Sequence, residues 1–193
     1  MSADLVVRAR RAVVDGAEVA CALVVQDGRT AAVTDLDAPV DARREVVLAD
    51  DEVLLPGLVD THVHVNEPGR TAWEGFSSAT RAAAAGGVTT LVDMPLNSIP
   101  PTTTVAALQV KRAAAVGQVH VDVGFWGGAV PGNADDLPPL HDAGVFGFKC
   151  FLADSGVAEF PPLSADGFRT ALARAAGLGA LVVVHAEDAH ELE

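Results

Sequence analysis

Hydrophobic and polar positions follow two different rhythms along this chain, and the change falls near Leu54. Before it, short Val-rich runs alternate with turn signals, at residues 5–7, 13–14, 22–25, 31–33 and 46–48. Short β-branched runs with such punctuation predict strands. Asp27-Gly28 sits between two of them and predicts a hairpin turn, since both residue types tolerate the positive φ that a tight hairpin needs. Residues 1–53 therefore read as a small antiparallel, sandwich-like β-domain with few polar residues worth calling catalytic. Arg8, Arg10 and Arg11 make a short basic patch there, read as a solvated face.

After Leu54, strand-like apolar runs alternate with Ala-rich stretches, the grammar of βαβ units and a parallel sheet. The first strand ends at His62-Val63-His64. A helix is predicted over 71–85, with Glu74 in its first turn and Gly86-Gly87 as its stop. There follow a strand at 88–94, a Pro-rich loop at 95–104, a helix at 105–116 closed by Gly117, and a strand at 119–126. A short helix at 135–143 leads to a strand at 145–152 and a loop at 153–162. Ser164 is the predicted N-cap of a helix running to about residue 178. The last strand, 180–184, delivers His185, and another helix is expected from Glu187 onward. The fold class is α/β, a partial TIM-type barrel (first five strands) in residues 54–193, preceded by the β-domain. A closed barrel needs eight strands and roughly 250 residues, and His190 to Glu193 read as the middle of a helix. The chain is thus expected to be the front part, or a truncated product, of a longer barrel protein.

Composition narrows the classes. The chain has 193 residues, 50% of them apolar and 20% charged, which is enough for a sizeable core. A formal charge of −13 argues against a nucleic-acid groove and against an anionic membrane surface. The start, MSADLVVRAR, carries charges where a signal peptide has its apolar core. No run approaches the roughly 18 apolar residues of a membrane helix. Cys21 and Cys150 are too few and too far apart for a disulfide framework, so a cytoplasmic, reduced location is expected.

The stretch that organises the rest is LLPGLVDTHVHVNEPGR, residues 54–70. Residues two apart in a strand share a face, so His62 and His64 project together while Val63 turns into the packing. Two imidazoles side by side at a strand end are half of a metal site, because neutral imidazole suits zinc and similar ions. A bare His-x-His is read equally well as one capping and one exposed histidine. Asp60 before it and Asn-Glu-Pro-Gly-Arg after it favour a site. In parallel βα folds the active groups collect at the C-terminal strand ends. Those ends supply His62, His64, Asp93 near Asn97, Lys149 and His185.

Lys149 lies inside an apolar strand, between Phe148 and Cys150, where an ammonium is costly. Burial lowers a lysine pKa, and a neutral amine adds CO₂ to give a carbamate whose two oxygens can bridge metal ions. Taken alone, a lysine that snorkels or pairs with an acid is the better reading. The remaining polar residues read more plainly. His120 and His141 suit surface or capping roles, Trp73 and Phe76 share a helical packing face, Asp93 suits a strand-end hydrogen bond at least as well as a contact with the metal loop, and Glu67 and Arg70 suit an internal ion pair.

The segments PGLVDTHVHVNEPGR (56–70), GGVTTLVDMPLNSIPP (86–101), GFKCFL (147–152) and VVVHAED (182–188) together resemble the cyclic amidohydrolases of the amidohydrolase superfamily. Within that group they look most like allantoinase, on Asn-Glu-Pro-Gly-Arg after His-x-His, Asp-Met-Pro-Leu-Asn-Ser after the second strand, and Gly-Phe-Lys-Cys-Phe around the lysine. The resemblance implies two divalent metal ions, zinc before others. His62 and His64 would bind one, His185 the other, and Lys149, as N6-carboxylysine made with CO₂, would bridge them. Metal lowers the pKa of a bound water to about 7, and the implied reaction is hydrolysis of a ring amide of allantoin to give allantoate. Asn97 is implied as a substrate contact, with a loop-fixing Asn-Ser turn as the equal alternative.

Relatives take a further histidine from a sixth strand and the general-base aspartate from an eighth. The resemblance therefore leaves four of six ligands and no catalytic base in residues 1–193, and an enzyme that is inefficient by itself. Alternatives within the class are a dihydroorotase or a dihydropyrimidinase (hydantoinase). Outside it stand a non-catalytic family member, which would have no need to keep the four ligands, and a poorly folding remnant. The expected partner is a small cyclic ureide, without nucleic acid or membrane, and the full-length relatives imply a homo-oligomer.

Overall fold

The computed structural model describes residues 2–187, in two compact units, Met1–Pro56 and Gly57–Glu193. The helix expected from Glu187 onward falls on residues 188–193, outside the described residues.

In the first unit, β1 (Leu5–Val14), β2 (Ala17–Gln26), β3 (Arg29–Thr34) and β4 (Glu45–Val47) form one sheet in the order β3-β2-β1-β4. Residues 5–7 and 13–14, read separately from the sequence, belong to a single strand whose register shifts between Ala9 and Ala12. The arginines that broke the apolar pattern caused the split reading. Each of them has a carboxylate: Arg8 pairs with Glu45, Arg10 with Asp50 at 2.8 Å, and Arg11 with Glu18 at 2.9 Å. Asp27-Gly28 is the expected turn, with φ of 51° and 71°, and Asp15-Gly16 makes a second one, at 50° and 80°. β4 runs parallel to β1, so the sheet is not wholly antiparallel.

The second unit continues with β5 (Leu58–Val63), α1 (Phe76–Ala85), β6 (Val88–Asp93), α2 (Val105–Ala115), β7 (Asp122–Phe125) and β8 (Gly127–Gly128). It is completed by α3 (Leu137–Asp142), β9 (Gly147–Phe151), α4 (Ala165–Leu178) and β10 (Leu181–His185). The sheet orders are β5-β6-β7 and β8-β9-β10, and every pairing is parallel. Only Trp126 separates β7 from β8, so the strands lie side by side in the order in which the chain makes them.

The period of two along each strand sorts side chains onto two faces. Leu91, Phe125, Phe148 and Cys150 join Phe76 and Leu108 in the larger core, beneath the helices. Val92, Trp126 and Phe151 join Met94, Leu96 and Phe160 in a second cluster on the other face. Fully burying a side chain such as Phe148 or Leu108 stabilises by about 1.5–3 kcal/mol. Val63 packs on the helix side, which turns His62 and His64 to the second face.

Ser164 caps α4 as expected, accepting from Gly167 N–H at 3.1 Å. Thr104 caps α2 in the same way. By contrast α1 starts at Phe76, five residues after the predicted start. Residues 71–75 are held in turns because Arg70 O accepts from Trp73 N–H and Glu74 O accepts from Asn66 N–H, both at 2.9 Å. Glu74 thus precedes the helix. Among the described residues no helix is long and apolar enough to cross a membrane.

Candidate metal centre

His62 and His64 stand at the C-terminal end of β5 with ring centres 5.6 Å apart. His62 is exposed and His64 half-buried. Burial is the main cause that lowers the His64 pKa, followed by the neighbouring His62. The Leu96 backbone opposes them, while Lys149 and Lys111 add to the lowering. His64 Nδ1 is buried and no hydrogen bond of good geometry reaches it.

Lys149, in β9, is 4% exposed. Among the described residues it forms neither an ion pair nor a side-chain hydrogen bond, and its ammonium faces the Phe151 ring at 4.7 Å from the centre. Neither plain reading of this lysine, snorkelling or acid pairing, describes it. Burial pushes its pKa down, against a smaller opposing effect of Cys150, whose own thiol burial pushes up to about 11. His185 ends β10, stacked on Phe151 with ring centres 5.0 Å apart and planes 13° from parallel. Its Nε2 lies 3.2 Å from Glu187 Oε1. Val183 pairs with Lys149 and His185 with Phe151 along the ladder, so these four share one face.

His62 and His64 thus stand at the C-terminal end of β5, His185 at that of β10 and Lys149 two residues before that of β9, with Phe151 against Lys149 and His185. Among the described residues no three His, Cys, Asp or Glu side chains converge on one point. His120 precedes β7 at the opposite strand end, and His141 lies on α3.

Asp93 has the strand-end role read for it, and it has a partner that sequence reasoning missed. Its Oδ1 accepts from Val65 N–H at 2.7 Å, and its Oδ2 lies 2.7 Å from Lys111 Nζ. That second contact is ionic, since its direction falls outside hydrogen-bond geometry. Burial pushes Asp93 up to about 6 against the pull of Lys111 and Val65, and burial lowers Lys111. The available signal was a lysine on the apolar side of an Ala-rich helix, three and four residues after Leu108 and Ala107.

Glu67 and Arg70 do not pair with each other. Glu67 Oε2 accepts from Phe76 N–H at 2.9 Å, serving the start of α1 because Gly75 at the cap has no side chain. Arg70 pairs with Glu159 and donates to Asn97 O at 2.8 Å. Trp73 lies outside α1, 65% exposed under the Arg70 guanidinium, whereas Phe76 is fully buried. Asn97 is half-buried with φ of 65°, a conformation that asparagine tolerates better than most residues.

Residues 53–193 match the amidohydrolase family. The chain belongs to that family. The chain is 58% identical over 189 residues to the allantoinase of Streptomyces avermitilis, covering 98% of this chain and 42% of that protein. It is 59% identical over 140 residues to the allantoinase of Saccharomyces cerevisiae, covering 72% of this chain and 30% of that one. Among solved structures, the L-hydantoinase (dihydropyrimidinase) of Arthrobacter aurescens superposes with a TM-score of 0.90 at 34% identity, over 96% of this chain and 41% of that one. The chain thus spans 30% to 42% of the length of these three relatives.

Proposed function

We propose that this chain carries the first part of an allantoinase-type active site, and that the whole enzyme hydrolyses a cyclic amide of allantoin to give allantoate. The structural observation that carries this reading is Lys149, 4% exposed and without an anion among the described residues, on one face of the β9-β10 ladder with His185. The similarity to two allantoinases at 58% and 59% identity supports the substrate. Strands that are all parallel and laid side by side in chain order support a (β/α)₈ barrel, of which residues 54–193 would form the first five strands, preceded in sequence by the domain of residues 1–53.

The donor set fits two divalent metal ions, with zinc proposed. His62 and His64 would hold one, His185 the other, and carboxylated Lys149 would stand between them. The fit rests on the orphaned His64 Nδ1, since a buried polar atom without a partner is costly, and on Lys149, whose ammonium meets the Phe151 ring and no anion among the described residues. When bound, the ions lower the pKa of a water and polarise a carbonyl.

The chain prepares these ligands itself. Burial favours the neutral amine of Lys149. Its lone pair forms an N–C bond to CO₂ as one C=O π pair moves onto oxygen, and the proton on nitrogen passes to water, giving the anionic carbamate. Burial likewise keeps His64 neutral, the form that binds metal. Asn97 is proposed to contact the ureide, held by the Arg70 donation to its backbone. A cytoplasmic setting is part of the same reading, supported by the two free, buried cysteines, Cys21 and Cys150.

The test places residues 1–193 in the Streptomyces avermitilis allantoinase in exchange for the corresponding segment, and assays the chimera with zinc on allantoin, hydantoins and dihydroorotate. Allantoate release, lost on His62→Ala, Lys149→Ala or His185→Ala, is the expected result. A preference for hydantoins would move the substrate to the second reading, which the TM-score of 0.90 to an L-hydantoinase favours. A folded chimera inert on every cyclic amide would sink the proposal.

A further inference from the structure

β5 ends at Val63, so His64 is the first residue past the strand and the sheet ladder does not place it. Its position is set by what grips the next residue. Val65 N–H donates to Asp93 Oδ1 at 2.7 Å, and Val65 O accepts from Lys111 Nζ. The two gripping side chains meet each other at 2.7 Å, and both are completely buried. One charged pair, from β6 and α2, therefore takes both backbone groups of Val65. An N–H requires an acceptor and a C=O requires a donor. A carboxylate beside an ammonium supplies both, and each neutralises the other where water is absent. The Val65 side chain is fully buried as well.

We propose that Asp93 and Lys111 are positioning residues that act through Val65 to hold His64 in its ligating orientation. The proposal rests on the reading of His64 as a metal ligand. Buried ion pairs are poor sources of stability, and apolar replacement of both members is often neutral or stabilising. Their place on either side of the Val65 backbone, next to His64, is better explained by orientation, since partners that orient a ligand typically contribute about 10- to 100-fold in metal affinity.

The experiment titrates the full chain with cobalt(II), following its visible absorption, and measures Tm in parallel. The variants are Lys111→Met, the double variant Asp93→Asn/Lys111→Met, and His62→Ala. Lys111→Met strands a buried carboxylate and lowers Tm. The double variant removes both charges and recovers Tm. Cobalt affinity that stays about 10- to 100-fold down in the recovered double variant supports positioning. If Tm and affinity recover together, the pair is structural only and the proposal falls. Should the double variant not recover Tm, the imidazole nitrogen resonances of His64 in Lys111→Arg decide, because this change keeps the charge and moves the grip on Val65. Shifted resonances support the proposal and unchanged ones overturn it. His62→Ala separates the two levels. If it binds cobalt as tightly as the starting chain, the metal reading fails and takes this proposal with it. If it loses cobalt while the double variant keeps it, only the positioning proposal fails.

Discussion

The Lys149 ammonium sits 4.7 Å from the centre of the Phe151 ring, and among the described residues it pairs with no carboxylate. A ring face offsets part of the loss of water, by about 2 kcal/mol or more for a desolvated cation. Burial leaves the lysine pKa lowered. Incubation with ¹³C-bicarbonate is therefore expected to give a carbamate carbon resonance that is lost in Lys149→Met. Because that substitution removes a buried amine that has no polar partner among the described residues, its Tm should not fall. A wild-type spectrum without the resonance would count against carboxylation.

Glu67 performs the capping that Gly75 cannot. Loss of a helix cap costs about 0.5–2 kcal/mol, so Glu67→Ala should destabilise by about 1 kcal/mol in urea unfolding. Faster amide exchange at Phe76 is expected alongside, because the Phe76 N–H is the group that Glu67 accepts from. Glu67→Gln keeps an acceptor and should fall between the two.

Gly147 opens β9 where no side chain fits. A Cβ there would collide with the Leu181 carbonyl oxygen and come within 2.8 Å of Trp126 Cζ3. Gly147→Ala must spread β9 from β10, at a cost typical of overpacking, about 1–3 kcal/mol. The same displacement would move Lys149 relative to His185, which a crystal structure of the variant would show.

Glu159 reports on the loops around the site. Its hydrogen bond with Arg70 holds the carboxyl below its ordinary value of 4.5. A depressed carboxyl stabilises the fold fully above its unfolded pKa, and the contribution is lost as pH falls through the folded pKa. Arg70→Gln should return the Glu159 titration, followed by NMR, toward 4.5 and flatten the acid limb of stability over that window. An unchanged midpoint would mean that Arg70 does not hold this carboxylate in solution.

Much of the molecule was legible in local pattern. Alternating apolar runs and Ala-rich stretches marked the strands and helices after Leu54, Ser164 marked a helix start, and the spacing of His62 and His64 put both on one face. These features depend on neighbours a few residues away, where the period of the backbone decides direction. Tertiary structure decided the rest. The late start of α1 follows from contacts in the 66–75 loop, and Lys111 finds Val65 at 46 residues' separation. Arg70 passes over Glu67 for Glu159, 89 residues away. The sequence alone determined the strand and helix order after Leu54 and the face that His62 and His64 share. Which charges meet was left to the packed chain, because burial selects ion-pair partners by proximity in space and removes the water that would satisfy them separately.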